Sequence, residues 1–190
     1  AISTVNALMR TDVAKAHTAL LQLSTFFRAT LQGVREKEMP LQQEIDHVNA
    51  YISLEQTRFP DKYQVTYDLQ TNRHAQIPPF CLQVLVENAV KHAFSGRRQH
   101  NRITVRVKDL PEHLLLSVSD NGSGIPPELL ERLGKQTIAS KTGTGTALYN
   151  LNRRLIGLYG DDSHLKIDSS PEGTCVQTII PRTTHERNQR

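Results

Sequence analysis

The sequence has 190 residues and a formal net charge of +4 at pH 7, with 37% hydrophobic and 22% charged residues. This composition is typical of a soluble globular protein with a sizeable core, in one large domain or two small ones. No stretch approaches the roughly 18 apolar residues of a membrane span, and no signal peptide is visible. The densest cationic cluster, at 97–102, lies in a predicted loop without interleaved aromatic residues, so nucleic-acid binding is not expected. The two cysteines, Cys81 and Cys175, lie in apolar runs and are predicted to be buried, reduced thiols.

The first third of the chain is predicted to be helical. Asp12 is a candidate N-cap, and a narrow apolar stripe follows it that suits either a helical hairpin or a dimer seam. The stripe consists of Val13, Ala16, Leu20, Leu23, Phe27 and Leu31. After a charged loop from Gly33 to Pro40, a second amphipathic helix is expected from Leu41 to about Phe59. The chain begins at Ala1 within an apolar-periodic pattern and without Met, and we interpret it as a fragment of a longer protein.

From about residue 63 the pattern changes to strands mixed with helices. The predicted elements are strand 63–69, helix 78–94, strands 103–107 and 114–118 joined by a hairpin, short helix 127–133, helix 146–159 ended by Gly160, and strands 165–168 and 175–180. Hairpins among the strands favour an α+β fold, with a mixed sheet packed on helices, over a doubly wound parallel sheet. We expect a helical segment over residues 1–60, a sandwich domain over 61–183 and a polar tail over 184–190.

Four polar residues interrupt the otherwise apolar helix 78–94, namely Glu87, Asn88, Lys91 and His92. At about 100° per residue they fall within roughly 140° of one another, on one face. This face is either simply exposed to solvent or the wall of a polar site that offers a carboxylate base, an amide metal ligand and a lysine for phosphate. The helix alone leaves both interpretations open.

Two glycine-containing loops are further candidates for a ligand site. Asp120-Asn121-Gly122-Ser123-Gly124 follows a strand directly, and its acid could accept a hydrogen bond from an exocyclic amine, although Asp-x-Gly-x-Gly is also a common turn. Residues 141–146 precede a helix, whose first N–H groups suit phosphate. This second loop is neither a Walker A loop nor a good match to the dinucleotide fingerprint, so each loop is weak evidence alone.

In this order, and with Gly173-Thr174 entering the last strand, these features resemble the ATP-binding fold shared by gyrase, Hsp90, histidine kinases and MutL. Residues 85–93 are similar to its N box, 120–124 to its G1 box and 143–145 to its G2 box. Further segments resemble the LytS/YehU-type sensor histidine kinases, and together they cover nearly the whole chain. They are Pro78–Gln83, Leu148–Leu155, Leu158–Gly160 and, in the second helix, Glu44-Ile45, Tyr51–Glu55 and Arg58-Phe59.

The resemblance implies a Bergerat-type sandwich that uses ATP and Mg²⁺, a homodimer formed through the N-terminal helices, a response regulator as partner, and a place in the cytoplasmic portion of a membrane-bound sensor. It implies that Asn88 binds Mg²⁺ and that Glu87 acts as a base or polarises the acceptor imidazole. The other implied ATP contacts are Lys91 and His92 to phosphate, Asp120 to the adenine amine, Gly122, Gly124 and Ile125 in the G1 region, and Thr174 through water. Gly143, Thr144 and Gly145 are implied to cover the triphosphate, and Lys141, Thr142 and Thr146 to bind ATP beside them. Residues 134–145 are implied to be a mobile lid.

Two features depart from the family pattern. Ala147 stands where a third G2 glycine is expected, and the acceptor-histidine motif is missing. Ala1–Asn6 resembles the sequence that follows such a motif, whereas His17 and His47 fit surface positions on helices. We therefore expect the chain to bind Mg-ATP and to phosphorylate a histidine upstream, which passes the phosphate to a response regulator. The alternatives are a non-catalytic nucleotide-gated interaction module and another superfamily member, such as an anti-sigma kinase or an ATPase clamp.

Overall fold

A computed structural model of the chain describes residues 2–33, 36–59, 62–72, 74–93, 101–133 and 144–182. Within these residues the helices are α1 (Ile2–Thr11), α2 (Val13–Gly33), α3 (Leu41–Arg58), α4 (Cys81–His92), α5 (Pro127–Leu130) and α6 (Thr144–Tyr159), followed by a 3₁₀ turn (Asp161–Ser163). The strands are β1 (Met39–Pro40), β2 (Gln64–Gln70), β3 (Gln76–Ile77), β4 (Arg102–Asp109), β5 (His113–Asp120), β6 (Lys166–Ser170) and β7 (Gly173–Pro181). The predicted α+β class is confirmed.

Five strands form a mixed sheet in the order β2-β4-β5-β7-β6. β2 and β4 are parallel, and the other neighbouring strands are antiparallel. Alternating apolar residues of β4 and β5, such as Ile103 and Leu116, are completely buried, because every second side chain points to the same face of a strand. α4 packs against both of these strands and against α6. The helix with the polar face therefore lies in the centre of the fold.

The predicted helical pair is present, and its apolar stripe is divided between two surfaces. Asp12 caps α2 as predicted, since its Oδ1 accepts the backbone N–H of Lys15 at 3.0 Å. α2 packs against α3, and Ala16, Ala19 and Leu23 are buried, whereas exposed apolar residues lie elsewhere on α1 and α2. The exposed ones are Met9, Val13, Leu20 and Leu21. The side chains of Phe27 and Leu31 lie outside the described set.

α3 belongs to the same hydrophobic core as the sheet. Leu41, Ile45, Val48 and Ile52 of α3 join one cluster with the buried residues of α4, β4 and β5. The predicted boundary between a helical segment and a sandwich, near residue 60, is not tested by this packing and stays a prediction. Among the described residues, none of the helices has the length and apolarity that a membrane crossing needs.

Several predicted boundaries differ from the structure, and the predicted short helix 127–133 ends at Leu130. α4 starts at Cys81 instead of Pro78, because Phe80 takes a left-handed conformation with φ of 59° that interrupts the helix. α6 starts two residues earlier than predicted, at Thr144. The β6–β7 hairpin is longer on both sides of its turn, since the strands reach Ser170 and Gly173.

The predictions of burial for the cysteines and for two histidines are confirmed only in part. Cys81 is fully buried as predicted, but Cys175 is only partly buried. His17 is exposed as predicted, but His47 is buried and stacks on the Phe80 ring at 5.6 Å between centroids. Residues 97–100 of the basic cluster, residues 134–143 of the predicted lid and the tail at 184–190 lie outside the described residues.

Candidate functional site

The polar face of α4 is organised by hydrogen bonds within the helix. Glu87 Oε1 accepts a bond from Gln83 Nε2 at 2.9 Å, and Glu87 Oε2 accepts one from Lys91 Nζ at 3.0 Å. Asn88 is buried, and its amide nitrogen donates to the carbonyl of Val84 at 2.7 Å. The oxygen of this amide is therefore the atom that Asn88 can offer to a ligand, and no donor among the described residues bonds it.

The start of α4 is capped by a carboxylate that belongs to α3. Glu44 is completely buried, and its two oxygens accept the backbone N–H groups of Phe80 at 2.8 Å and of Gln83 at 3.0 Å. These N–H groups lie at the end of a helix where no carbonyl of the helix itself can accept them. α3 thereby holds the first turn of the helix that carries Glu87 and Asn88.

Asp120 is the last residue of β5, and one oxygen of its carboxylate accepts two backbone hydrogen bonds. Its Oδ1 accepts the N–H groups of Gly122 at 2.8 Å and of Thr174 at 3.3 Å. Burial raises the pKa of this carboxyl, and the two N–H groups oppose that effect. A Cβ at Gly122 would lie 2.3 Å from the carbonyl oxygen of Ala93, so only glycine lets the loop lie this close to the end of α4.

One site residue, Ser169, was missed by the sequence reasoning. Asp120 lies opposite Thr174 in the β5–β7 pair, and Thr174 lies opposite Ser169 in the β7–β6 pair, so the three residues form one row across three strands. Ser169 Oγ lies 2.9 Å from Thr174 Oγ1 and accepts the N–H of Ile125 at 2.8 Å. The sequence signal that could have identified Ser169 was the Ser-Pro-Glu-Gly sequence of the hairpin turn. If the turn is centred on Pro171 and Glu172, Ser169 belongs to the strand and lies opposite Thr174.

A cavity of about 730 Å³ lies between α4, the loop after β5 and the β6–β7 hairpin. It brings together seven of the predicted site residues, which are Asn88, Lys91, His92, Asp120, Gly124, Ile125 and Thr174. Apolar side chains such as Leu85, Val118 and Val176 form much of the remaining wall. An apolar cavity with a few convergent polar groups is the usual form of a small-molecule site.

Other predicted site residues lie outside this cavity. Glu87 and Gly122 are not part of its described lining. Thr144, Gly145 and Thr146 form the first turn of α6 instead of a loop before it, and Thr146 is exposed. Lys141, Thr142 and Gly143 lie outside the described residues, so their predicted contact with ATP stays a prediction.

Replacing Gly124 with alanine should destabilise the site and the fold around it. Gly124 has a φ of +74°, and a Cβ there would lie 2.0 Å from the carbonyl oxygen of Ser170. Because both the backbone conformation and the neighbouring strand oppose a side chain, we expect the free energy of unfolding to fall by more than about 2 kcal/mol. Urea denaturation measures this change.

Gly157→Ala is the matched control for this substitution. A Cβ at Gly157 meets no atom within 4 Å, and alanine favours the helical conformation of α6 by about 0.5–1 kcal/mol over glycine. The control should therefore be as stable as the unmodified protein or slightly more stable. Equal stability of the Gly124→Ala variant and the unmodified protein would contradict the close packing of this loop on β6.

Comparison with protein families matches two parts of the chain. Residues 80–184 match the family described as histidine kinase-, DNA gyrase B- and HSP90-like ATPase, and residues 1–63 match the family described as histidine kinase. Among curated relatives, sensor protein LytS of Streptococcus mutans is 49% identical over 189 residues, covering 100% of this chain and 33% of the relative. Sensor protein LytS of Bacillus subtilis is 50% identical over 183 residues, covering 95% of this chain and 31% of the relative. The chain thus spans about a third of the length of these relatives.

Solved structures share the fold at low sequence identity. The catalytic domain of histidine kinase ThkA has a TM-score of 0.57 and 21% identity, covering 77% of this chain and 97% of that one. Histidine kinase AdeS of Acinetobacter baumannii has a TM-score of 0.59 and 16% identity, covering 94% of this chain and 84% of that one. At these identities the similarity concerns the fold alone.

Proposed function

Because the chain belongs to the histidine kinase-, DNA gyrase B- and HSP90-like ATPase family, and within it to the LytS-type sensor histidine kinases, we propose that its cavity binds Mg-ATP for transfer of the γ-phosphate to a histidine. The acceptor histidine lies upstream of Ala1, and a response regulator receives the phosphate from it. The chain functions as a homodimer through its N-terminal helices, in the cytoplasmic portion of a membrane-bound sensor.

The observation that carries this proposal is the position of Asp120 in the cavity. Its Oδ1 is occupied by two backbone N–H groups, and its other oxygen accepts no bond from the described residues. A carboxylate held in this way at the end of an apolar slot accepts a hydrogen bond from an exocyclic amine, such as that of adenine. The surrounding Leu85, Val118 and Val176 provide apolar contact for a flat ring.

The residues on the α4 side of the cavity fit a metal ion and phosphate. The Asn88 oxygen is a neutral, hard donor, and Mg²⁺ is commonly bound through one or two protein oxygens together with substrate phosphates. When bound, Mg²⁺ neutralises phosphate charge and so favours transfer. Lys91 and His92 line the same cavity, where a lysine ammonium binds the phosphate chain.

Glu87 lies on α4 beside this cavity and has a different role from the residues that line it. Its carboxylate is held by Gln83 and Lys91, and its side chain keeps 25% of its surface exposed. A carboxylate that is oriented but still accessible can accept a proton from an incoming imidazole, or polarise it. Glu87 therefore acts on the acceptor histidine, while Asn88 acts on the nucleotide.

Asp120→Asn tests the nucleotide assignment. The asparagine oxygen can still accept the N–H groups of Gly122 and Thr174, but its amide group presents a donor to the adenine amine, which is also a donor. We expect the affinity for ATP, measured by titration, to fall about 10- to 100-fold. Asp162→Asn, an exposed change of the same kind, should leave the affinity unchanged. Equal affinity of Asp120→Asn and the unmodified protein would contradict the adenine assignment.

A further inference from the structure

Gln83, in the first turn of α4, is almost completely buried although its side chain is polar. Its amide nitrogen donates to Glu87 Oε1 at 2.9 Å. Because an ionised carboxylate only accepts hydrogen bonds, this contact fixes the orientation of the amide and turns its oxygen away from Glu87. The amide oxygen is buried and has no hydrogen-bond partner among the described residues.

The fold itself does not need an amide side chain at this position. A buried acceptor without a donor is unfavourable, and the bond to Glu87 reaches a carboxylate that keeps 25% of its side-chain surface exposed and can bond water instead. The contact with Glu44 uses the backbone N–H of Gln83, which every residue except proline has. The amide of Gln83 therefore has its effect at Glu87 and not in the core.

The two oxygens of Glu87 are held by contacts of different kinds. The donor to Oε1 is Gln83, which is neutral, buried and not part of the described cavity lining. The donor to Oε2 is Lys91, which is charged, keeps 40% of its side-chain surface exposed and does line the cavity. A phosphate group in the cavity would compete with Glu87 for the Lys91 ammonium. The bond from Gln83 is the contact that a nucleotide leaves unchanged.

We propose that Gln83 is a positioning residue for phosphate transfer, whose amide keeps the Glu87 carboxylate in one orientation while the nucleotide phosphates engage Lys91. The proposal rests on the proposed function, because it needs Glu87 to act on the acceptor histidine. Gln83 acts through Glu87 and is not a catalytic residue. Its place four residues before Glu87 on the same helix suits this role, since the helix fixes the distance between the two side chains.

Gln83→Met tests the proposal, since methionine is unbranched, similar in length and without a donor. Single-turnover labelling from γ-³²P-ATP, in a chain extended upstream of Ala1 to include the acceptor, should be about 10- to 100-fold slower, as expected for a misplaced catalytic group. ATP affinity should stay within about twofold. Urea denaturation should find the variant at least as stable as the unmodified protein, because the unpartnered buried oxygen is removed. A purely structural role predicts the reverse, a lower stability with an unchanged rate.

A double-mutant cycle shows whether Gln83 acts through Glu87. In a Glu87→Gln background, Gln83→Met should change the labelling rate less than about twofold, because the carboxylate that it orients is already absent. Gln42→Met is the matched control, since Gln42 Nε2 donates to Asp46 Oδ1 at 2.8 Å, also four residues on, along α3. It should keep the original labelling rate. Equal slowing by Gln83→Met in both backgrounds would overturn the proposal.

The outcomes also separate this proposal from the proposed function. If Glu87→Gln is slow and Gln83→Met labels at the original rate, the role of Gln83 is overturned and the proposed function stands. If Glu87→Gln labels at the original rate, the role of Glu87 is overturned, and this proposal with it. Gln83→Leu is a second apolar variant, and a loss of stability in both variants would assign Gln83 to the fold and overturn the proposal. Slower transfer that depends on Glu87, at unchanged affinity and stability, supports both.

Discussion

Replacing Glu87 with glutamine should slow phosphate transfer to the acceptor histidine by about 100- to 10,000-fold, the range that general acid–base groups contribute. Glutamine has the same shape and can still accept the bond from Gln83 Nε2, but it neither takes a proton nor carries the charge that attracts an imidazolium. Glu87 is not part of the cavity lining. We therefore expect the affinity for ATP to stay within about threefold, so that the loss is in the transfer step.

Under the proposed function the acceptor histidine lies upstream of Ala1, so the experiment uses a chain extended at its N-terminus. An N-terminal extension of about one helix, about 10–14 residues, should supply the acceptor. Transfer is measured as label from γ-³²P-ATP in a single turnover, and ATP affinity is measured separately on the same variants. Residues 1–190 alone should bind ATP without being labelled.

Glu128→Gln is the matched control, since it makes the same change of charge on the exposed surface of α5. It should retain the original rate of labelling. Labelling of the Glu87→Gln variant at the original rate would exclude a role of this carboxylate in transfer and favour a non-catalytic, nucleotide-gated module. Strong labelling of residues 1–190 would place the acceptor within the chain.

The elements that depend on local patterns were predictable from sequence. Alternation along residues 103–107 and 114–118 predicted β4 and β5, because one face of each strand is buried. The spacing of Leu41, Ile45, Val48 and Ile52 predicted α3 for the corresponding reason. Both patterns are periodic within one element, so no knowledge of the neighbouring elements was required.

The candidate site was only partly predictable, because it depends on contacts between distant segments. Asp120 and Thr174 are 54 positions apart and meet through the β5–β7 register. Residue order within a family pattern predicted that they act together, but periodicity could not show it. The four polar residues of α4 share a helical face, yet Glu87 is outside the cavity that the other three line. Helical periodicity shows that residues share a face, but it does not show which of them line a cavity and which lie beside it.

Glu44 shows most clearly what sequence reasoning cannot reach. On an amphipathic helix such as α3, a glutamate is expected on the solvent face. Its burial has a cause in another element, because the unpaired N–H groups at the start of α4 need an acceptor at this position. Only the docking of α4 on α3 gives a buried glutamate side chain these hydrogen-bond partners.

Glu44 also connects α3, through Gln83, to the part of α4 that carries Glu87. Glu44 holds the backbone N–H of Gln83, and the Gln83 side chain in turn holds Glu87 at 2.9 Å. On the other side, the α6 residue Arg154 lies near Glu44 and donates to the carbonyl of Pro79. A change at Glu44 should therefore affect both the stability of the fold and the position of Glu87.

Glu44 should make a contribution to the free energy of unfolding that falls as the pH rises toward neutrality. Burial raises the pKa of its carboxyl to about 7, against the opposing effects of the Gln83 and Phe80 N–H groups and of Arg154. In the unfolded chain Glu44 loses its proton near the ordinary pKa of 4.5. Between these two pH values the folded state binds more protons than the unfolded state, so the free energy of unfolding falls with rising pH. Above about pH 7 the buried side chain is ionised in the folded state, and the decrease is complete. The difference between the two pKa values of Glu44 corresponds to about 3 kcal/mol of unfolding free energy.

Glu44→Gln isolates this contribution from all others. Glutamine cannot ionise, and its amide nitrogen faces a backbone N–H that it cannot accept, so we expect the variant to be less stable at pH 5 by about 1–3 kcal/mol. Between pH 5 and pH 8 the unmodified protein should lose about 2–3 kcal/mol more than the variant, so the gap between the two closes or reverses. Urea denaturation at both pH values measures the gap, and Glu128→Gln on the exposed surface of α5 should leave the pH dependence unchanged. A gap of the same size at both pH values would mean that Glu44 is ionised throughout, with its two N–H bonds and Arg154 outweighing its burial.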